Sequence, residues 1–239
     1  MKLVVSFPVV LADRREAFYM PDKKLPGNKN FLEGIIVVKT NSSRMPMQNL
    51  FETILATAGG GMAIALSTAL SLYTLYRMPQ GGSITPASML PIVLYAIAFG
   101  PIWGTMAGIV HGLLQFVLAP FTAHWASIVL DYPLAFGCLG LAGLFAAKRS
   151  LRAGQKNIFR RLSLISLPRL IAAIWVAMGG RTICHLLSGV VFYRSNILEA
   201  GMDPWVYSLV YNGTYMLPEA VITTVLLVPF AVFFRSRRT

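Results

Sequence analysis

The chain has 239 residues, 56% hydrophobic and 13% charged, where an ordinary soluble domain carries about 25% charged residues. A mean hydropathy of +0.63 implies an all-α, multi-pass integral protein of the cell membrane and excludes a soluble globular domain. The net charge of +12 does not mark a nucleic-acid binder: of 21 Lys and Arg, eight precede Asn49, six lie between Lys148 and Arg161 and three follow Phe234. The positive-inside rule assigns these three regions to the cytoplasm, so both termini are expected inside and the number of spans is even.

Residues 1–48 differ from the rest, mixed in charge and broken by Pro8, Pro21, Pro26 and Pro46. They are expected to be a cytoplasmic N-terminal extension, either a mobile tail or a mis-assigned start, since Met45 and Met47 stand just before the first span. Residues 49–234 are expected to form a six-helix membrane domain, and 235–239 a basic C-terminal tail.

The first span, about Asn49 to Tyr76, is rich in small residues, with Gly61, Ala65 and Ala69 recurring every four positions as a smooth ridge. Such a ridge lets another helix approach closely. Two readings stand for it: packing inside this chain, or docking of a partner. Met78-Pro79-Gln80-Gly81-Gly82-Ser83 then falls on the outside as a mobile loop, with Pro79, Gly81 and Gly82 as its breakers. A short second span, Met89 to Phe99, turns at Gly100-Pro101 into a third, Pro101 to Leu118, which carries Gly104, Gly108 and Gly112 at i, i+4 and i+8. Spans four (about His124 to Ala147), five (about Leu164 to Phe192) and six (about Trp205 to Phe234) complete the domain. Cys138 and Cys184 both lie in apolar runs and read as small buried hydrophobes, not as a disulfide or a metal site.

The unusual polar residues collect in the outer halves of spans four to six. Asp131 is the single acidic residue between Ala119 and Ala147, a run without Lys or Arg. A carboxylate at membrane depth costs several kcal/mol unless it is paired or lines a wet cavity. Tyr132 sits beside it, and an anion among aromatic faces suits a flat organic cation. Arg181 and His185 share one helix face at i, i+4. Tyr207, Tyr211 and Tyr215 recur every four residues, with Asn212 and Glu219 close by. A buried bridge from Arg181 to Asp131 or Glu219 is the structural alternative, but it does not call for the aromatic walls of Tyr193, Tyr207 and Trp205, which a ligand pocket does. No phosphate-binding loop, nucleophile elbow or His-Glu-x-x-His zinc motif occurs, and His111, His124 and His185 lack ligand spacing. The expectation is a non-enzyme with no metal and no cofactor.

Residues 78–83, Gly108 to Gln115, Leu130-Asp131-Tyr132-Pro133-Leu134-Ala135-Phe136 with Gly140-Leu141-Ala142-Gly143, His185-Leu-Leu-Ser-Gly189, and Tyr207-Ser208-Leu209-Val210-Tyr211-Asn212-Gly213 together resemble the ThiT family. These are the thiamine-binding S components of energy-coupling factor (ECF) vitamin transporters. The resemblance runs from about Asn49 to Phe234. It implies a thiamine pocket lined by Asp131, Tyr132, His185, Tyr193, Tyr207 and Asn212. Tyr193 falls where the family can carry a tryptophan, a change that keeps an aromatic wall. Asp131 would balance the thiazolium charge, the tyrosines would supply faces and hydroxyls, and His185 and Asn212 would bond the polar edge. Arg181 and Glu219 would orient that shell. The implied partners are thiamine, an EcfT-type transmembrane coupling protein docking on Gly61, Ala65 and Ala69, and two ATPase subunits, with 79–82 as a gating loop. The rival readings are an S component for another vitamin, a self-sufficient proton-coupled carrier using Asp131, Glu219 and His185, and a polytopic membrane enzyme. Neither an internal repeat nor an enzyme motif supports the last two.

Overall fold

The computed structural model describes residues 47–153, 155, 157–193, 197–198 and 201–236. The expected N-terminal extension, but for its last two residues, lies outside the described residues, as do Arg194, Glu199 and the end of the basic tail.

In chain order the elements are α1 (Met47–Leu72), a hairpin of β1 (Tyr76–Arg77) and β2 (Ser83–Ile84), α2 (Leu90–Phe99) and α3 (Pro101–Leu118). A broken span follows, made of α4 (Trp125–Val129), a π-helical turn (Leu130–Leu134), α5 (Ala135–Gly137) and a 3-10 stretch (Cys138–Phe145). Two short helices, α6 (Arg149–Ala153) and α7 (Ile158–Leu162), occupy the basic loop, and the long helices α8 (Leu167–Phe192) and α9 (Pro204–Ser236) close the domain. Large apolar side chains such as Ile54, Val117, Ile183 and Val225 point outward, as a helix bundle facing lipid requires.

Among the described residues, five helices are long and apolar enough to cross a membrane: Leu50–Leu72, Pro101–Leu118, Trp125–Phe145, Leu167–Phe192 and Pro204–Ser236. The sequence led us to expect six. The segment expected as the short second span is the ten-residue helix α2, about 15 Å long at 1.5 Å per residue, half of a hydrocarbon core of about 30 Å. It is a central post, with Ile92, Val93, Ala96, Ile97 and Ala98 fully buried between α1, α3 and the broken span.

Close backbone approach fixes the geometry around that post. Gly100, at φ +103°, makes a turn that few other residues accept, and Pro101 starts α3 where its missing N–H costs nothing. A Cβ on Gly108 would strike the carbonyl oxygen of Phe136, and one on Gly112 would come within 2.5 Å of the carbonyl oxygen of Tyr132. The glycine ridge of α3 therefore lies directly on the backbone of the broken span. There, Pro133 cannot donate to the ladder, so the helix widens: the Ala135 N–H reaches back five residues to Leu130. That widened turn carries Asp131 and Tyr132.

Two further expectations take a definite form. On α1 the residues packed inward are Ala56, Gly59, Gly60, Ala63 and Ser67, whereas Gly61, Ala65 and Ala69 are exposed on another face. The hydroxyl of Tyr95 donates to the Ala56 carbonyl at 2.8 Å across the inward face. Internal packing thus uses small residues other than the ridge. The loop expected to be mobile is a hydrogen-bonded hairpin, with Tyr76 opposite Ile84 and Arg77 opposite Ser83. The Met78 N–H donates to the Gly82 carbonyl at 2.7 Å, and the turn needs Gly81 at φ +87°.

Candidate ligand-binding site

A cavity of about 300 Å³ opens between the hairpin, the end of α3, the π-helical turn, α8 and α9. All six residues expected to bind ligand line it: Asp131, Tyr132, His185, Tyr193, Tyr207 and Asn212. Arg181 and the hairpin residues Pro79, Gly81 and Gly82 also reach it, while Glu219 does not.

The carboxylate is the hub of the site. Asp131 Oδ1 lies 3.0 Å from His185 Nδ1, and Oδ2 accepts from Ser188 Oγ at 2.6 Å. Burial makes such contacts stronger than they are in water. They join the π-helical turn to α8. The other ring nitrogen of His185, Nε2, is buried without a partner among the described residues. It is therefore the open hydrogen-bonding atom of the pair.

On α9, one helix turn sets the order of contacts. The Tyr215 hydroxyl donates to Asn212 Oδ1 at 2.6 Å, and Asn212 Nδ2 donates to the Ser208 carbonyl at 2.9 Å. Asn212 is thereby held rigidly, and its amide is engaged within the chain. Tyr207 and Tyr211 stack with planes 11° apart. Their hydroxyls accept from Gln80, the first from the side-chain amide at 2.6 Å and the second from the main-chain N–H at 2.9 Å. The hairpin tip, which lines the cavity, is thus fastened to α9.

The remaining wall is aromatic. Tyr193 stacks on Phe121 with planes 7° apart; burial, with the charge of Asp131 adding to it, pushes its hydroxyl pKa above the ordinary tyrosine value. The Tyr132 hydroxyl accepts from the Phe121 N–H at 2.8 Å and donates toward the Phe121 carbonyl at 3.1 Å, shaping the loop before α4. Its hydroxyl is engaged there, and its ring lines the cavity.

The buried bridge of Arg181, the structural alternative to a pocket, is absent among the described residues, where the ion pairs are Arg161–Glu52 and Asp131–His185. Arg181 instead lies 4.2 Å above the Phe136 ring, with Nη1 at 3.1 Å from the Met89 sulfur. Glu219 Oε1 accepts from the Thr85 N–H at 2.5 Å and from Thr85 Oγ1 at 2.7 Å. It anchors the return strand of the hairpin to α9. The sequence reading passed over Gln80 and Ser188 as site residues. Polar residues in a Pro/Gly loop and in an apolar helix carried no signal until the fold brought them to the tyrosines and the carboxylate. Among the described residues, no group of three or more His, Cys, Asp or Glu is placed to hold a metal ion.

Fold and cavity define the class: a multi-pass membrane protein with an aromatic-lined cavity beside a hairpin. The family described as "Thiamine transporter protein (Thia_YuaJ)" matches residues 57–237. The chain is 34% identical over 151 residues to the thiamine transporter ThiT of Bacillus subtilis (strain 168), covering 63% of this chain and 75% of that one. It is 29% identical over 143 residues to the thiamine transporter ThiT of Lacticaseibacillus paracasei, covering 57% and 67%. The solved structure of ThiT from Listeria monocytogenes has the same fold, with a TM-score of 0.62 and 21% identity over 76% of this chain and 95% of that one. The chain belongs to the thiamine transporter protein family.

Proposed function

We propose that this protein binds thiamine in the tyrosine-lined cavity and delivers it as the S component of an ECF-type importer, with an EcfT-type coupling protein and two ATPase subunits as partners. The observation that carries the reading is the Asp131 carboxylate, set on the widened turn among Tyr132, Tyr193 and Tyr207. A buried anion with aromatic walls is complementary to a flat cation such as a thiazolium ring. In this reading Asp131 holds His185 and supplies the negative charge, His185 Nε2 bonds the ligand, and the tyrosines stack on it. Asn212 and Tyr215 keep the α9 wall rigid. Arg181 and Glu219 orient the surroundings, and Pro79, Gly81 and Gly82 let the hairpin swing.

The topology proposed with it has six membrane-embedded segments, the short α2 included, and both termini in the cytoplasm. The coupling role rests on the outward exposure of Gly61, Ala65 and Ala69, since close approach of small residues drives helix association in lipid. Titration of the purified protein with thiamine, riboflavin and biotin tests the ligand; saturable binding of thiamine alone is expected. Gly61→Trp should abolish uptake in cells that have the coupling and ATPase subunits and leave binding by the purified protein unchanged. Loss of both together would place the ridge inside the binding fold. The Asp131–His185 contact also suits a self-sufficient proton-coupled carrier, and uptake that persists without any coupling partner would select that second reading.

A further inference from the structure

A second cavity, of about 280 Å³, is lined by Glu52, Ile102, Trp103, Arg149, Arg152 and Arg161 among others. Glu52 in this cavity and Ser71 in the first both lie on α1, about 28 Å apart at 1.5 Å per residue. That is close to the thickness of a hydrocarbon core, about 30 Å. The two cavities therefore sit at opposite membrane faces, the second at the face of the basic loop.

Its charge is unbalanced. Arg161, 1% exposed, is committed to Glu52 at 2.7 Å and to the carbonyls of Gln155 and Ala98 at 3.0 and 3.3 Å. Arg152 donates to the carbonyls of Ala147 and Ala98 at 2.8 and 3.0 Å. Arg149 has no hydrogen bond or ion pair among the described residues, and it is exposed. Three guanidinium groups thus face one carboxylate that is already taken. Burial, then the charges of Arg161 and Arg149, lower the pKa of Arg152 from the usual arginine value, with Glu52 opposing them. The rim is apolar: Ile102 is 75% exposed on the lipid-facing side of α3.

We infer that this cavity binds the phosphate group of an anionic phospholipid, with Arg149 and Arg152 holding the phosphate and an acyl chain running along Ile102. Basic pockets between membrane helices at the cytoplasmic face suit anionic headgroups, and guanidinium forks match phosphate oxygens. The chemistry is shared with free phosphate, and the apolar rim favours the lipid. The inference does not depend on which ligand fills the first cavity.

The test uses the full chain purified in detergent, as wild type, Arg149→Gln, and Arg149→Gln/Arg152→Gln, with gel filtration to check folding. Each is measured with phosphatidylglycerol, phosphatidylcholine or inorganic phosphate, by native mass spectrometry and by its thermal unfolding midpoint. Wild type should retain phosphatidylglycerol through detergent exchange and unfold at a higher temperature with it, and phosphatidylcholine should do neither. Arg149→Gln should retain at least fivefold less, and the double variant none. An arginine-dependent rise with inorganic phosphate alone would keep the phosphate site and assign it to a soluble anion. Equal retention of the two lipids, or undiminished phosphatidylglycerol retention in a folded Arg149→Gln variant, would overturn the inference. Should the double variant fail to fold, the single variant decides, because the Arg149 side chain makes no hydrogen bond or ion pair among the described residues.

Discussion

The two ends of the bundle hold their polar groups in opposite ways. At the tyrosine end, side chains bond one another across elements far apart in sequence: Asp131 to His185 and Ser188, Gln80 to Tyr207, Glu219 to Thr85. At the arginine end, guanidinium groups bond main-chain carbonyls where helices stop, as Arg152 and Arg161 do at Ala98 near the end of α2. The first arrangement frames a cavity whose shape depends on tertiary contacts. The second caps helix ends that would otherwise leave carbonyls unsatisfied. The basic loop, read from sequence as a topological signal alone, is therefore also a structural part of the fold.

Four substitutions test that contrast, taken from the largest expected effect to the smallest. Arg161→Met removes the buried partner of Glu52 and two carbonyl contacts, and should lower unfolding stability by about 4 kcal/mol. A denaturation midpoint close to wild type would show that the arginine end is not a structural cap. Gly108→Ala forces a methyl group against the Phe136 carbonyl and should cost about 3 kcal/mol, read by thermal unfolding. A neutral outcome would mean that the glycine ridge does not set the spacing of α3 and the broken span.

Asp131→Asn keeps the shape of the side chain and removes its charge. It should weaken thiamine affinity by about 2 kcal/mol, roughly thirtyfold, with the unfolding midpoint less affected. Unchanged affinity in titration calorimetry would confine Asp131 to holding His185 in place. Gln80→Ala loses its side-chain bond to Tyr207 and keeps the main-chain bond to Tyr211. Hydrogen exchange at the Met78 and Leu75 amides should report a loss of about 1 kcal/mol of local stability. Unaltered protection would show that the turn of the hairpin, and not the tyrosines, holds it closed.

Much of the candidate site was legible in the sequence because a charged or aromatic residue inside an apolar run has few explanations. Asp131, His185 and the tyrosines of α9 stood out for that reason, and the structure brings them to one cavity. The five long spans were legible as apolar runs; α2, with ten residues, is shorter than a hydrocarbon core of about 30 Å requires, and its burial at the centre was not legible in the sequence. What could not be read was partner choice. Arg181 was expected to orient the pocket, with a carboxylate bridge as the alternative, and it lies on Phe136, because i, i+4 spacing fixes a face but not the residue that faces it. The ridge of α1 had the same ambiguity: a row of small residues does not say whether it looks toward the bundle or toward lipid.

The fastening of Gln80 to two tyrosine hydroxyls has a consequence for timing. A clasp that is equally strong over an empty and a filled cavity cannot alter the equilibrium constant, because only a difference between the two states does so. It slows arrival and departure by the same factor. Under the proposed function the hairpin would act as a clock on ligand exchange, and variants of Gln80 should change how long a molecule stays far more than how tightly it is held.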